Sequence, residues 1–322
     1  MGRAVTYVIL GAGALGSILA AHLARAGQDV ALIARGARAS DITEHGLTLR
    51  GLSEFTARVP VFDRPEDVRE AGVLIVAVKT YDTEAALAAV RHLRPHSVLS
   101  LQNGVLKDEQ LAATFGAPAV LGCIADFSGE VDPDGTVRFT RSEGLYAGEL
   151  PSGISDRVEA IVGTLRAAGV KAVASERILA AEWSKYVAWM GLTPVAVLSR
   201  FLTHRTLQDA DLARLQVTLV REGALLAERQ GIALEDIGGL LIPKTLSSLP
   251  PPEAAARLRS IGDAFEQQGV TSHKMSALQD LERGRRLEVE ETLGHAVRRA
   301  ADLGLSLPAI ETCYRLMRAL GK

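Results

Sequence analysis

The run EWSKYVAWMGLTP, from Glu182 to Pro194, sets one lysine among Trp183, Tyr186, Val187, Trp189, Met190 and Leu192. Lys185, Trp189 and Thr193 follow one another at intervals of four, so a helix here carries all three close to one face. An ammonium on such a stripe has two uses. It can lay its stem along apolar surface and keep its charge in water. It can also meet negative charge developing on a bound molecule and then supply a proton. The lysine by itself does not choose between them.

A second set of residues has the chemistry of a phosphate site. VILGAGALG places Gly11, Gly13 and Gly16 in a G-x-G-x-x-G pattern, directly after an apolar strand and at the opening of a helix. In that context the first glycine makes the tight turn and the second lets the backbone approach a pyrophosphate. The third lets helix and strand pack closely. Gly11, Ala12, Gly13, Ala14, Leu15 and Gly16 then offer backbone N–H groups and a helix N-terminus to the anion. About twenty residues on, Asp or Glu would hold a free ribose 2′-hydroxyl. The second strand ends instead in LIARGAR, with Arg35, then Arg38, and no acid before Asp41. A guanidinium there suits a 2′-phosphate, so the expected cofactor is NADP(H). VAVKTYDT and LSLQNG set Lys79 and Asn103 at two further strand ends, where ligands of doubly wound sheets bind.

These residues need elements to position them. Val5–Leu10, Val30–Ala34, Val73–Val78, Val98–Gln102 and Ala119–Ala125 are short, uninterrupted apolar runs, the pattern of strands covered on both faces. Helical segments Leu15–Ala26, Thr83–Leu93 and Lys107–Phe115 alternate with them, which predicts a Rossmann-type doubly wound parallel sheet. Asp134-Gly135 predicts a hairpin, followed by a last strand and a helix over Ile154–Ala168. Beyond about residue 175 only helical patterns remain: Ile178–Leu192, Leu207–Gln230, Ala254–Gln268, Met275–Arg283 and Glu288–Leu303, with a break at Pro194. The expected organisation is an NADP-binding α/β domain over residues 1–175 and an all-helical substrate and catalytic domain over 176–322.

Composition narrows the classes of function. Hydrophobic residues make up 48 % and charged residues 23 %, as in a globular protein with a core. A net charge of −2 gives no electrostatic case for nucleic acid or an anionic membrane. No apolar run could span a bilayer, and the N-terminus lacks a signal peptide's layout, so a cytoplasmic protein is expected. Cys123 and Cys313 have no metal-ligand spacing, and no metal is expected. A homodimer is left open.

GAGALG, Arg35, VKTYDT, QNGV, EWSKYV, KMSALQD and GRRLEVE together resemble the ketopantoate reductases (2-dehydropantoate 2-reductases), along essentially the whole chain. The resemblance implies reduction of a 2-oxo acid by NADPH, with ketopantoate to pantoate as the leading reaction. By it, Lys79 and Asn103 contact the cofactor and Asn103 also faces substrate. Lys185 matches the catalytic lysine, and Ser276 a serine that contacts substrate. Glu288 matches a glutamate that reaches substrate and nicotinamide ribose, and its carboxylate would orient the ammonium. Where the family carries substrate-binding asparagines, this chain has Trp189, Thr193 and Thr203, and Leu287 stands where a threonine is usual. These departures point to a bulkier carbonyl, or an imine or opine-type substrate, as the alternative. A cofactor-binding regulator without turnover is disfavoured, since Lys185 and Glu288 are both present.

Overall fold

The structure, a computed structural model, describes residues 4–321. Its first part runs β1 (Ala4–Leu10), α1 (Ala14–Arg25), β2 (Val30–Ile33), α2 (Gly36–His45), β3 (Leu47–Gly51), β4 (Phe55–Ala57), β5 (Val61–Phe62), β6 (Glu70–Val76), α3 (Thr83–Val90), β7 (Ser97–Ser100), α4 (Leu106–Phe115), β8 (Leu121–Val131), β9 (Val137–Glu149), α5 (Asp156–Ala167) and β10 (Ala172–Ala174). Helices follow: α6 (Ile178–Ser199), α7 (Thr203–Gln208), α8 (Ala210–Arg229), α9 (Pro243–Ser248), α10 (Pro251–Gln267), α11 (Ser276–Glu282), α12 (Leu293–Asp302) and α13 (Pro308–Leu320).

The first sheet has the order β5-β2-β1-β6-β7, and every pair in it is parallel. Its strands are apolar on both sides because both sides are covered. Ile9, Leu32, Ile75 and Leu99 share a core with Ile18, Leu19 and Leu23 of α1. Val8, Leu10, Ile33, Leu74 and Val98 share the opposite core with Leu87, Val90 and Leu111 of α3 and α4. The period of two within a continuous apolar run is thus a two-sided burial pattern.

A second sheet, β10-β9-β3-β4 with β8 on β9, differs from the expectation. The run Ala119–Ala125 does not supply another parallel strand. It leads into β8, which pairs antiparallel with β9 from Leu121–Glu149 to Val131–Val137. Val120 forms an isolated parallel bridge to Val98 of the first sheet. The tight turn at Asp132–Thr136, with Gly135 at φ +82°, sends the chain straight back and lets the hairpin satisfy its own ladder.

Three helical boundaries also differ. α6 does not stop at Pro194 but continues to Ser199. An internal proline costs about 3 kcal/mol. Val195 and Val197 just beyond it are at most 2 % exposed, and burying a valine contributes roughly 1.5–3 kcal/mol, so packing wins. The segment Leu207–Gln230 splits because the Asp209 carboxylate accepts the N–H groups of Asp211 and Leu212 at 3.0 and 2.9 Å, starting α8 afresh. The helix expected from Glu288 begins only at Leu293, which leaves Glu288 outside any helix.

The chain divides into two compact units. One comprises the residues up to Asn103 together with Lys107–Leu179; the other comprises Gly104–Leu106 and the residues from Ala180 onward. Among the described residues 205–300, the β-type pairing is a single isolated bridge between Gly238 and Leu241. Among the described residues, no helix is long and apolar enough to cross a membrane.

Candidate active site

The glycine loop separates into positions that serve the fold and one that does not. Gly11 has φ +115°, and a Cβ there would lie 2.9 Å from the Ala77 carbonyl group. A Cβ on Gly16 would lie 2.1 Å from the Gly11 carbonyl oxygen. Neither position admits a side chain. Gly13 is exposed, and the nearest atom to a Cβ there is the Ala77 carbonyl oxygen at 3.8 Å. Among the described residues nothing crowds a Cβ at 13. The first α1 hydrogen bond runs from Ser17 N–H to Gly13 O at 2.9 Å, so the earlier N–H groups of the helix have no intrahelical acceptor. An open backbone in front of a helix N-terminus is a fitting cradle for a pyrophosphate.

Arg35 and Arg38 take different places. Arg35 is exposed, directly after β2 and before α2. Arg38 is half-buried and occupied. Its guanidinium donates to Asp41 Oδ2 at 3.0 Å and to the Gly135 carbonyl at 2.7 Å, with longer bonds to the Ala12 carbonyl and Ser17 Oγ, both at 3.4 Å. It therefore joins the phosphate loop to the β8–β9 turn, and burial pulls its pKa below the usual arginine value.

Lys79 follows β6 and Asn103 follows β7; both are half-buried. Since β2, β1, β6 and β7 are neighbours in one parallel sheet, the glycine loop, Arg35, Lys79 and Asn103 all lie at the same strand ends. Gln102, which sequence reasoning passed over, holds two of these ends together. Its Nε2 donates to the Val78 carbonyl at 3.0 Å and to Thr83 Oγ1 at 2.7 Å, while its Oε1 accepts from Ser100 at 2.9 Å. The signal available in the sequence was only a polar residue where an apolar strand should end.

In the helical unit, α6 is buried almost throughout from Ala181 to Val197. Its two half-exposed positions in that stretch are Lys185 and Trp189, one turn apart. Thr193, next along the stripe, is 1 % exposed and closed off from solvent. Ser276 is exposed in the first turn of α11. Thr203 is fully buried and forms a two-point clip with His273, three residues before Ser276. Its N–H donates to the His273 carbonyl at 3.1 Å, and its hydroxyl lies 2.9 Å from His273 Nδ1. Glu288 is half-buried in the irregular stretch between α11 and α12. Tyr186, beside Lys185, reaches that stretch by donating its hydroxyl to the Thr292 carbonyl at 2.7 Å.

The family model described as "Ketopantoate reductase PanE/ApbA" matches residues 7–152, and its C-terminal counterpart matches residues 177–321. The chain belongs to the ketopantoate reductase family. The 2-dehydropantoate 2-reductase of Archaeoglobus fulgidus is 29 % identical over 312 residues, covering 97 % of this chain and 96 % of that one. A PanE/ApbA family ketopantoate reductase from Ralstonia eutropha has a TM-score of 0.81 at 25 % identity, with 98 % of each chain covered. D-Mandelate dehydrogenase, solved with NADH and anilino(oxo)acetate, shares the fold with a TM-score of 0.83 at 21 % identity and the same coverage. Membership of the ketopantoate reductase family makes the chain a nicotinamide-dependent oxidoreductase acting on a small molecule. Among the described residues, no group of three or more His, Cys, Asp or Glu side chains could hold a metal ion.

Proposed function

We propose that this chain reduces a 2-oxo acid to a 2-hydroxy acid with NADPH, ketopantoate to pantoate being the leading reaction. The observation that carries the reading is Lys185: a half-exposed ammonium in the middle of a helix whose Ala181–Val197 stretch is buried except at Lys185 and Trp189, in a chain of the ketopantoate reductase family. A bound reduced nicotinamide would supply the hydride. The chain's own residues do the remaining work. Backbone N–H groups at the α1 N-terminus receive the pyrophosphate over Gly13, and Arg35 takes the 2′-phosphate by charge-assisted hydrogen bonds. Lys79 and Asn103 hold the cofactor, with Asn103 also turned to substrate. Lys185 hydrogen-bonds the substrate carbonyl oxygen, stabilises the negative charge as it develops there, and gives that oxygen its proton. Ser276 contacts the substrate, and Glu288 orients the ammonium.

Trp189 supports a second reading of the substrate. Its indole is half-exposed one turn from Lys185, on the same stripe. A wide aromatic surface in that place favours a bulkier or more apolar 2-oxo acid over ketopantoate. One assay addresses both readings: oxidation of NADPH by the purified protein against ketopantoate and a series of larger 2-oxo acids, repeated with Lys185→Ala. Turnover is expected with at least one of them. Lys185→Ala should lower kcat by roughly 10²-fold, the range for a positioned general acid, with NADPH affinity nearly unchanged. Absence of turnover on every 2-oxo acid, or an unaltered kcat in Lys185→Ala, overturns the proposal.

A further inference from the structure

We infer that Tyr186 is a positioning residue of the reaction: its hydroxyl ties the helix that carries Lys185 to the segment that carries Glu288, and thereby sets where that carboxylate stands. The inference rests on the roles proposed above for Lys185 and Glu288. Residues 283–292 form neither helix nor strand, so no regular ladder fixes the backbone at Glu288. Specific contacts hold the stretch instead. On one side the Glu290 carboxylate accepts from the Tyr314 hydroxyl at 2.9 Å and pairs with Arg318 at 3.1 Å and Arg298 at 3.4 Å. On the other side stands Thr292. Its hydroxyl donates to the Glu288 carbonyl, and Gly294 N–H donates to the Val289 carbonyl at 2.9 Å.

Tyr186 closes that inner side. Its 2.7 Å bond to the Thr292 carbonyl is a long-range tie between residues 106 positions apart. Tyr186 is 1 % exposed and Thr292 is fully buried, so water does not compete for the contact. Burial also pushes the phenol's ionisation far above its ordinary value, which keeps it a neutral donor. The ring is steadied by an edge-on contact with Trp183, at 5.6 Å between centroids. A phenylalanine would fill the same volume; the oxygen serves the tie to Thr292 and a backbone hydrogen bond at Ala296. The Thr292 carbonyl also accepts Ala296 N–H at 3.1 Å, so loss of the phenol does not orphan it. The chain of contacts thus runs from the backbone of Glu288 through Thr292 to Tyr186, the residue next to Lys185.

The test uses Tyr186→Phe and Thr292→Val in the full-length protein, with NADPH and its best 2-oxo acid. Each should lower kcat about tenfold, since a shift on the order of 1 Å in a catalytic group can cost up to 10²-fold. Substrate KM, NADPH affinity and melting temperature should stay nearly unchanged. In a Glu288→Gln background, adding Tyr186→Phe should lower kcat no further, because the tie acts through the carboxylate. An unaltered kcat in both variants overturns the inference, as does a loss matched by an equal loss of stability or cofactor affinity. Full additivity with Glu288→Gln overturns it too. Lys185→Ala separates the two levels. If that change abolishes turnover while Tyr186→Phe does nothing, only the tie is wrong; if it leaves turnover intact, the proposed chemistry and the tie fall together.

Discussion

Two arginines three residues apart have unlike surroundings, and their substitution should have unlike consequences. Arg35 is exposed at the end of β2, free of the network that engages Arg38. If Arg35 meets the 2′-phosphate, Arg35→Ala should weaken NADPH binding by roughly tenfold or more while hardly affecting NADH, the effect of one charge-assisted contact. Arg38→Ala removes the link between the Ala12 carbonyl and the Gly135 turn, so both cofactors should bind more weakly and by similar factors. Dissociation constants for both cofactors and both variants decide the matter. An NADPH-to-NADH ratio moved by Arg38→Ala and not by Arg35→Ala would reverse the assignment. The sequence showed two arginines in the right region; it could not show which was occupied, because the partners of Arg38 lie at residues 12, 17, 41 and 135. Tyr186 was hidden for the same reason. It reads as apolar filler until its hydroxyl is placed against residue 292.

At the scale of elements, legibility followed the length and regularity of the pattern. The four strands β1, β2, β6 and β7 and the helix after the glycine loop are continuous apolar or periodic runs, and they were readable. β3, β4 and β10 of the second sheet, and β5 at the edge of the first, are two to five residues long, too short for a pattern to stand out, so only the β8–β9 hairpin of the second sheet was legible, through Asp134-Gly135. The charged run around Glu288 was read as helix because apolar residues recur through it. Buried Leu287 and Val289, two apart, are the positions of an extended backbone instead. The junction of β1 and α1 is where element packing and ligand binding can be told apart. Gly13→Ala places a methyl at ordinary contact distance, 3.8 Å from the Ala77 carbonyl oxygen, and at an ordinary φ of −68°, so the protein should keep its melting temperature. Cofactor binding should nevertheless drop by on the order of tenfold or more, because the methyl occupies the approach of the pyrophosphate. Gly16→Ala drives a methyl into the Gly11 carbonyl and should destabilise the fold by roughly 1–3 kcal/mol or more. Denaturant melts and cofactor titrations of the two variants should separate cleanly; a Gly13→Ala protein that binds NADPH normally would remove the loop from the cofactor site.

For the molecule as a whole, each unit holds a histidine that folding keeps neutral, and this sets a direction for its stability in mild acid. His22 in α1 places Nδ1 2.9 Å from the Ala168 carbonyl and Nε2 3.3 Å from Ser53 Oγ, and burial lowers its pKa from 6.5. His295 in α12 is pushed down to about 4, first by burial and then by Arg298 and Arg299. Above pH 6.5 both states of the chain hold these rings neutral, and they cost nothing. As pH falls below that value the unfolded chain takes up protons that the folded chain refuses, so stability declines until the folded pKa is reached. For His295, the interval from 6.5 to about 4 corresponds to about 3 kcal/mol. Carboxylates held low by arginines, such as Glu149 beside Arg157, act in the same direction but only below the ordinary glutamate value of 4.5. The two histidines therefore lower stability across the interval between about pH 6.5 and pH 4.5. The melting temperature should fall steadily across that interval, and His295→Gln should flatten much of the slope while leaving the part due to His22. A wild-type melting temperature that stays level there would mean that the rings find protons, or water, in the folded state.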